Sequence, residues 1–261
     1  MSRVVTSNGR HIGYTEEGVG EATPLVFLHG VGSDKSVWQP QLEYFGRTRH
    51  AIAFAYPGYG DSDPAPEGTT RDDYASAITS AMHELGIDRA HVCGLSLGGV
   101  VAIAIHHAAP ERCASLVLAD TFAVHPDGRA IYERSLAGSR DLPAMAEARV
   151  DFLLAQPADP EVRREVVETM SRIDPAAYRI GAEAVWLADQ RDRVAEITIP
   201  TLVICGDEDQ PTPPELSRKL HHAIAGSRLE MIPNAGHLTN LEQPDAFNSA
   251  VERLLAHVEQ R

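Results

Sequence analysis

A serine stands between glycines in Gly94-Leu95-Ser96-Leu97-Gly98. The apolar run Ala90-His91-Val92-Cys93 leads into it, and Gly99-Val100-Val101-Ala102-Ile103-Ala104-Ile105 follows. Buried strand, very sharp turn and buried helix is the pattern of a nucleophile elbow, which lifts a serine hydroxyl off the end of a sheet. The glycines suit a strained turn in which strand and helix backbones pass close together. The helix that begins beside Ser96 supplies free N–H groups and a positive dipole end, which favour a developing oxyanion.

A serine hydroxyl needs a base, and neutral imidazole has a pKa near working pH. The imidazole in turn needs a carboxylate to fix its tautomer and stabilise its cation. Both partners follow Ser96 in the chain. Thr201-Leu202-Val203-Ile204-Cys205 reads as a buried parallel strand, and Gly206-Asp207-Glu208-Asp209 puts carboxylates just beyond its C-terminal end. Arg228-Leu229-Glu230-Met231-Ile232 is a further short strand that opens into Pro233-Asn234-Ala235-Gly236-His237, before a last helix from about Pro244. His237 and the acid therefore reach the same sheet edge as Ser96. Asp209 competes for the acid role with Asp207 and with Asp120, which ends the strand Leu116-Val117-Leu118-Ala119.

The elements that must position these loops alternate. Asn8-Gly9 between Val4-Val5-Thr6 and Ile12-Gly13-Tyr14 signals a hairpin. Leu25–Leu28 and Ala51–Phe54 are strands, with a helix around Trp38–Tyr44 between them. Thr70-Arg71-Asp72-Asp73 has the form of a capping box for a helix ending near Leu85-Gly86. Alternating strands and helices mean a mainly parallel sheet covered on both faces. The alternation pauses over residues 121–193, a stretch rich in Ala, Arg and Glu and too long for a loop, which reads as a helical insertion. The core domain is then 1–120 plus 194–261. Trp38 and Trp186 are the candidates for lining a substrate pocket, Trp186 through the last helix-like part of the insertion.

Composition narrows the classes. The 261 residues are 43% hydrophobic, enough for one large core. With 23 Lys+Arg against 37 Asp+Glu the net charge is −14, which argues against nucleic acid or anionic membrane surfaces as partners. Cys93, Cys113 and Cys205 lie in or beside apolar runs without a CxxC pair, so reduced buried thiols are expected rather than disulfides. Gly58-Tyr59-Gly60-Asp61-Ser62-Asp63 lacks the third glycine of a dinucleotide fingerprint. No HExxH or similar ligand spacing occurs among the 12 histidines. Neither a metal nor a cofactor is expected. Met1–Thr6 shows no signal-peptide core and no run of about 18 apolar residues occurs, so a cytoplasmic protein is expected. Oligomeric state is left open.

Taken together, these motifs make the chain resemble the α/β-hydrolase superfamily along nearly its whole length. His29-Gly30 after Leu25-Val26-Phe27-Leu28 is similar to that family's oxyanion loop, and Tyr56-Pro57-Gly58-Tyr59-Gly60-Asp61-Ser62 to the loop after its fourth strand. Gly206-x-x-Asp209 and Gly236-His237 resemble its acid and histidine motifs. The resemblance implies a mostly parallel eight-stranded sheet with helices on both faces and a helical cap at 121–193. It implies Ser96 as nucleophile, Asp209 as acid and His237 as base. It also implies an oxyanion hole made by the N–H groups of Val31 and Leu97. His29 is expected to be a hydrogen-bonding support of the oxyanion loop.

Within the superfamily the chain resembles 3-oxoadipate enol-lactonases and related carboxylesterases. The likeness lies in Trp38-Gln39-Pro40-Gln41, in Gly94–Gly99, in Ile199–Pro214 and in His237-Leu238-Thr239-Asn240-Leu241-Glu242-Gln243-Pro244. His29-Gly30-Val31-Gly32 and Tyr56-Pro57-Gly58-Tyr59 depart from those lactonases at the pocket. The expected activity is serine hydrolysis of a small carboxylic ester or lactone through an acyl-enzyme, without a cofactor. Carbon–carbon bond hydrolases and perhydrolases share much of the pattern. A low-turnover ligand receptor on the same fold is the alternative of another class.

Overall fold

A hairpin opens the chain in the computed structural model, which describes residues 2–260. Strands β1 (Arg3–Ser7) and β2 (Arg10–Glu17) pair antiparallel across Asn8-Gly9. Both turn residues have positive φ, 52° and 73°, as a type I′ turn requires. The other strands are β3 (Leu25–Leu28), β4 (Ala51–Phe54), β5 (Ala90–Leu95), β6 (Cys113–Ala119), β7 (Thr201–Gly206) and β8 (Arg228–Ile232). They form one sheet of eight in the order β1-β2-β4-β3-β5-β6-β7-β8. β2 runs antiparallel to β4, and every pairing beyond that is parallel.

The central strands are apolar throughout because helices cover both faces. Successive side chains point to opposite sides. Val26, Leu28, Ile52, Phe54 and Val92 join the core beneath α2 (Arg71–Glu84) and α3 (Leu97–Ala108). Leu25, Phe27, Ala51, Ala53 and Cys93 join the opposite core layer, under α1 (Gln39–Phe45) and the C-terminal helix. Thr70 caps α2 in a reciprocal box with Asp73: the Thr70 N–H donates to the Asp73 carboxylate at 2.8 Å, and the Asp73 N–H to the Thr70 hydroxyl at 3.3 Å.

Five helices stand between β6 and β7: α4 (Gly128–Gly138), α5 (Leu142–Leu153), α6 (Pro160–Ser171), α7 (Pro175–Trp186) and α8 (Arg191–Ala195). α5 packs along α6 and α4 along α7. The two ends of this segment meet at a Val124–Asp189 bridge, and the Gln190 N–H donates to the Ala123 carbonyl at 2.9 Å. Helices α9 (Pro214–Ala223), α10 (Thr239–Glu242) and α11 (Pro244–Glu259) complete the chain. All three cysteines are free and buried. Among the described residues no helix is long and apolar enough to cross a membrane.

The β5–α3 turn is a tight crossing. A Cβ on Gly98 would collide with the backbone carbonyl of Leu28 in β3, and one on Gly94 with the carbonyl of Gly98. Neither obstacle is a flexible side-chain end, so the backbone itself would have to move. Gly98→Ala is expected to lower stability by about 3 kcal/mol or more. Gly20→Ala, whose Cβ would meet its nearest atom at 3.5 Å, should stay within about 0.5 kcal/mol of the parent. Chemical denaturation of the two variants checks the difference.

Candidate active site

Ser96 sits at the turn with φ 55° and ψ −114°, a conformation that costs a non-glycine residue about 1–3 kcal/mol. Surrounding hydrogen bonds hold it there. Its N–H donates to the Ala119 carbonyl at 2.9 Å, and its own carbonyl accepts from the Thr121 hydroxyl at 2.8 Å and the Gly99 N–H at 3.0 Å. The strain keeps the hydroxyl from capping its own helix. Instead Ser96 Oγ lies 3.0 Å from His237 Nε2.

The far side of the imidazole faces Asp209. Both carboxylate oxygens lie 3.1 Å from His237 Nδ1. Asp209 also accepts from the Thr212 N–H at 2.9 Å and the Thr212 hydroxyl at 2.6 Å. An ionised carboxylate only accepts, so Nδ1 carries the imidazole proton and Nε2 presents its lone pair to the serine. Burial alone would push the His237 pKa down, but the charge and hydrogen bond of Asp209, with Asp120 behind, outweigh it. The net pKa lies above the ordinary 6.5.

The three carboxylates weighed for the acid separate cleanly. Asp207 is exposed. Asp120 is buried, yet it spends its oxygens on the Gly206 N–H at 3.0 Å and the Thr239 hydroxyl at 2.6 Å. It ties the ends of β6 and β7 to α10 and makes no hydrogen bond to His237. Burial and the neighbouring Asp209 push its pKa well up. Asp120, Asp209 and Cys205 bring donor atoms within 4.8 Å of one another. That chemistry does not suit a cation: the carboxylate oxygens are already engaged, and burial drives the Cys205 thiol pKa up, keeping it protonated.

His29 is fully buried, with its pKa lowered to about 4 by desolvation, so the ring is neutral. Its Nδ1–H donates to the Gly30 carbonyl at 2.8 Å, which also accepts from the N–H and hydroxyl of Ser33, each at 3.3 Å. The Gly30 carbonyl and the Val31 N–H share one trans peptide and point in opposite directions. Pinning the carbonyl on one side therefore turns the Val31 N–H to the other. A Cβ on Gly30 would meet the Ser96 Cβ at 3.4 Å, so this peptide lies against the serine. Tyr56 and Tyr59 donate to the His29 and Val31 carbonyls, both at 3.2 Å. Leu97 is the first residue of α3, where an N–H has no partner within the helix.

A cavity of about 50 Å³ opens over Ser96 and His237. Its walls include Val31, Val37, Leu95 and Leu241 from the sheet side, and Arg149, Val166, Met170 and Trp186 from the inserted helices. An adjoining chamber of about 840 Å³ shares Arg149, Trp186 and Pro211 with it. Trp186 stacks on Phe122 at 5.8 Å while lining both spaces, so it is a core residue and a pocket wall at once. Trp38 departs from expectation. It is fully buried against Phe27 at 4.8 Å and Phe247 at 5.9 Å and borders neither of these two spaces, because its position at the start of α1 turns it into the core layer beneath the sheet.

Several residues of the site carried no sequence signal of their own. Glu242 is one: its carboxylate accepts from Gly236 and Leu238 on the histidine loop, at 2.9 and 3.2 Å, and from Ala155 of the insertion at 2.7 Å. It clamps that loop from both sides. Thr212 and Arg149 are others. Only the Pro-rich context of the acid loop hinted at Thr212, and nothing distinguished Arg149 from the other arginines.

With this geometry the chain belongs to the alpha/beta hydrolase family, whose model matches residues 25–250. Similar proteins lie within that family. The 3-oxoadipate enol-lactonase 2 of Acinetobacter baylyi is 30% identical over 258 residues, covering 96% of this chain and 95% of that protein. The solved enol-lactonase of Burkholderia xenovorans LB400 superposes with a TM-score of 0.90 at 28% identity, covering 97% of this chain and 100% of its own. A thermophilic esterase from Thermogutta terrifontis, solved with malate bound, gives 0.90 at 26% identity over 99% of both chains.

The raised His237 pKa sets a pH expectation. A protonated imidazole cannot accept the serine proton, so ester turnover through this site should fall toward acid pH with a midpoint above 6.5. Asp209→Asn removes the main influence raising that pKa and should move the midpoint down as well as slow turnover. Rate profiles of kcat/KM against pH for both proteins check the two shifts.

Proposed function

We propose that the protein is a serine hydrolase of small carboxylic esters or lactones, working through an acyl-enzyme. The observation that carries this reading is the continuous chain from Ser96 Oγ to His237 Nε2 at 3.0 Å and from His237 Nδ1 to Asp209 at 3.1 Å. His237 takes the Ser96 proton as Oγ attacks the carbonyl carbon. The oxyanion takes hydrogen bonds from the N–H groups of Val31 and Leu97, at the positive end of α3. Collapse expels the alkoxide, which receives the proton from His237; in a lactone it stays tethered to the acyl group. His237 then deprotonates a water that attacks the acyl-enzyme, and Ser96 regains its proton as the acid leaves. Relatives named enol-lactonase and esterase support the ester or lactone class. The helices between β6 and β7 serve as a cap that limits acyl size and excludes water.

Ser96→Ala should lower 4-nitrophenyl acetate turnover by roughly 10⁴-fold or more, because the three groups act as a unit. Its melting temperature should stay near that of the parent, and a fluorophosphonate should label the parent alone. A folded Ser96→Ala protein with parental kcat would remove the serine mechanism. A burst of one equivalent without continued turnover would favour a ligand receptor instead.

Trp186 separates the inner cavity from the outer chamber. Trp186→Ala should shift the kcat/KM ratio between butyrate and acetate 4-nitrophenyl esters by about tenfold toward the longer acyl chain. A drop in melting temperature with an unchanged ratio would confine Trp186 to the core.

A further inference from the structure

We propose that Tyr59 is a positioning residue of the oxyanion hole, and that α7 of the insertion sets it by resting on its hydroxyl. The inference rests on the reading of Ser96 as an ester-cleaving serine with the Val31 N–H as one oxyanion donor. Three consecutive carbonyls of that loop are each held by a buried ring. The Tyr56 hydroxyl donates to the His29 carbonyl at 3.2 Å, His29 Nδ1–H to that of Gly30 at 2.8 Å, and the Tyr59 hydroxyl to that of Val31 at 3.2 Å. The rings also pack on one another, His29 with Tyr56 at 4.5 Å and with Tyr59 at 4.9 Å between centroids. Burial raises the pKa of both tyrosines well above the ordinary value, so both hydroxyls stay protonated and donate. The Val31 backbone dihedrals lie between two rigid peptide planes. His29 and Ser33 hold the plane on the Gly30 side, and Tyr59 holds the plane on the Gly32 side. Gly30 and Gly32 carry no side chain that could wedge the loop by packing, so the aim of the Val31 N–H depends on both anchors.

Tyr59 is itself held from two sides. It belongs to the turn after β4, where its N–H donates to the Tyr56 carbonyl at 2.9 Å and its carbonyl accepts from the Ser62 N–H at 3.0 Å. Lys35, just beyond the oxyanion loop, ties this turn down through Asp61 at 2.7 Å. On the other side lie Ala177 and Gly181, one turn apart on α7. A Cβ on Gly58 would lie 2.9 Å from the Ala177 Cβ, and one on Gly181 would lie 2.2 Å from Tyr59 Oη and 3.1 Å from Val31 Cγ2. The α7 backbone therefore closes over the Tyr59–Val31 hydrogen bond, and Tyr59 is buried. Shut off from water, that bond is stronger than an exposed one. Phenylalanine at 59 would fill the core equally well, and the Cβ missing at 181 is the room that the hydroxyl takes. Contact thus runs from α7 to the hydroxyl, from the hydroxyl to the Val31 carbonyl, and through the Val31 backbone to its N–H.

Tyr59→Phe keeps the ring and removes one hydroxyl. The kcat for 4-nitrophenyl acetate should fall about tenfold while KM stays within about twofold, because the lost aim matters where negative charge has developed. A small trifluoromethyl ketone, 1,1,1-trifluoro-2-butanone, reads the hole directly. Ser96 Oγ adds to its carbonyl carbon, the hydroxyl proton passes to His237, and the π pair becomes an oxyanion. Its inhibition constant should weaken by the same factor as kcat. The pH midpoint of kcat/KM should not move, since His237 is untouched, and the melting temperature should drop by no more than about 4 °C. Gly181→Ala should reproduce the losses in the parent and add little in Tyr59→Phe, where the atom it strikes is gone. Parental kcat and ketone inhibition in a folded Tyr59→Phe protein would overturn the role of Tyr59. A loss accompanied by a shifted pH midpoint or a large rise in KM would also overturn it, as the mark of a general packing defect. Gly181→Ala losses of equal size with and without the hydroxyl would overturn the part given to α7. A parent that neither hydrolyses the ester nor is inhibited by the ketone would overturn the hydrolase reading, and this assignment with it, before any variant is made.

Discussion

Everything at the site hangs on the backbone of Ser96, held at positive φ between a buried strand and a buried helix. The conformation is unfavourable in isolation, and the fold maintains it by crowding. Gly98 lies against the Leu28 carbonyl and Gly94 against that of Gly98, so no neighbouring side chain can relax the turn. The Ala119 carbonyl at the end of the next strand and the Thr121 hydroxyl just beyond it fix the serine's own peptide groups. With its backbone fixed and its side chain barred from capping α3, the hydroxyl has His237 as its hydrogen-bond partner.

From that fixed point the other groups are arranged by the parallel register of the sheet. β5, β6, β7 and β8 run side by side in one direction, so the loops after them open at one edge. Asp120 uses this adjacency structurally, bridging the ends of β6 and β7, while Asp209 extends one loop further to reach the imidazole. Two nearby carboxylates raise the proton affinity of everything around them. The effect is visible in the elevated pKa values of Asp120 and His237. Burial opposes it for histidine and reinforces it for aspartate, because one group is charged when protonated and the other when not.

The inserted helices do more than cover the edge. The Leu153 carbonyl accepts the His237 N–H at 2.7 Å, and Glu242 joins Ala155 to the histidine loop. The position of the imidazole is therefore shared between core and insertion. The same helix that supplies Leu153 carries Arg149 to the cavity wall.

The local rules of the sequence determined a good deal. Continuous apolar runs located the strands, Thr70–Asp73 announced its helix, Asn8-Gly9 its hairpin, and the glycines around Ser96 its strained turn. Each of these signals is written in neighbouring residues, because backbone conformation and strand burial are local or nearly local demands. The placement of Ser96, Asp209 and His237 at one sheet edge was legible for the same reason: each sits where a recognisable element ends. What tertiary structure alone decided are contacts between segments far apart in the chain. Asp120 and Asp209 both end strands, and only three-dimensional packing shows which carboxylate faces Nδ1. Trp38 and Trp186 look alike as aromatic residues near candidate loops, yet one is swallowed by the layer beneath the sheet and the other borders both chambers. Arg149 is one arginine in a helix of mixed composition. Its place on the wall between the two chambers comes from the way the helices pack, which no stretch of sequence encodes.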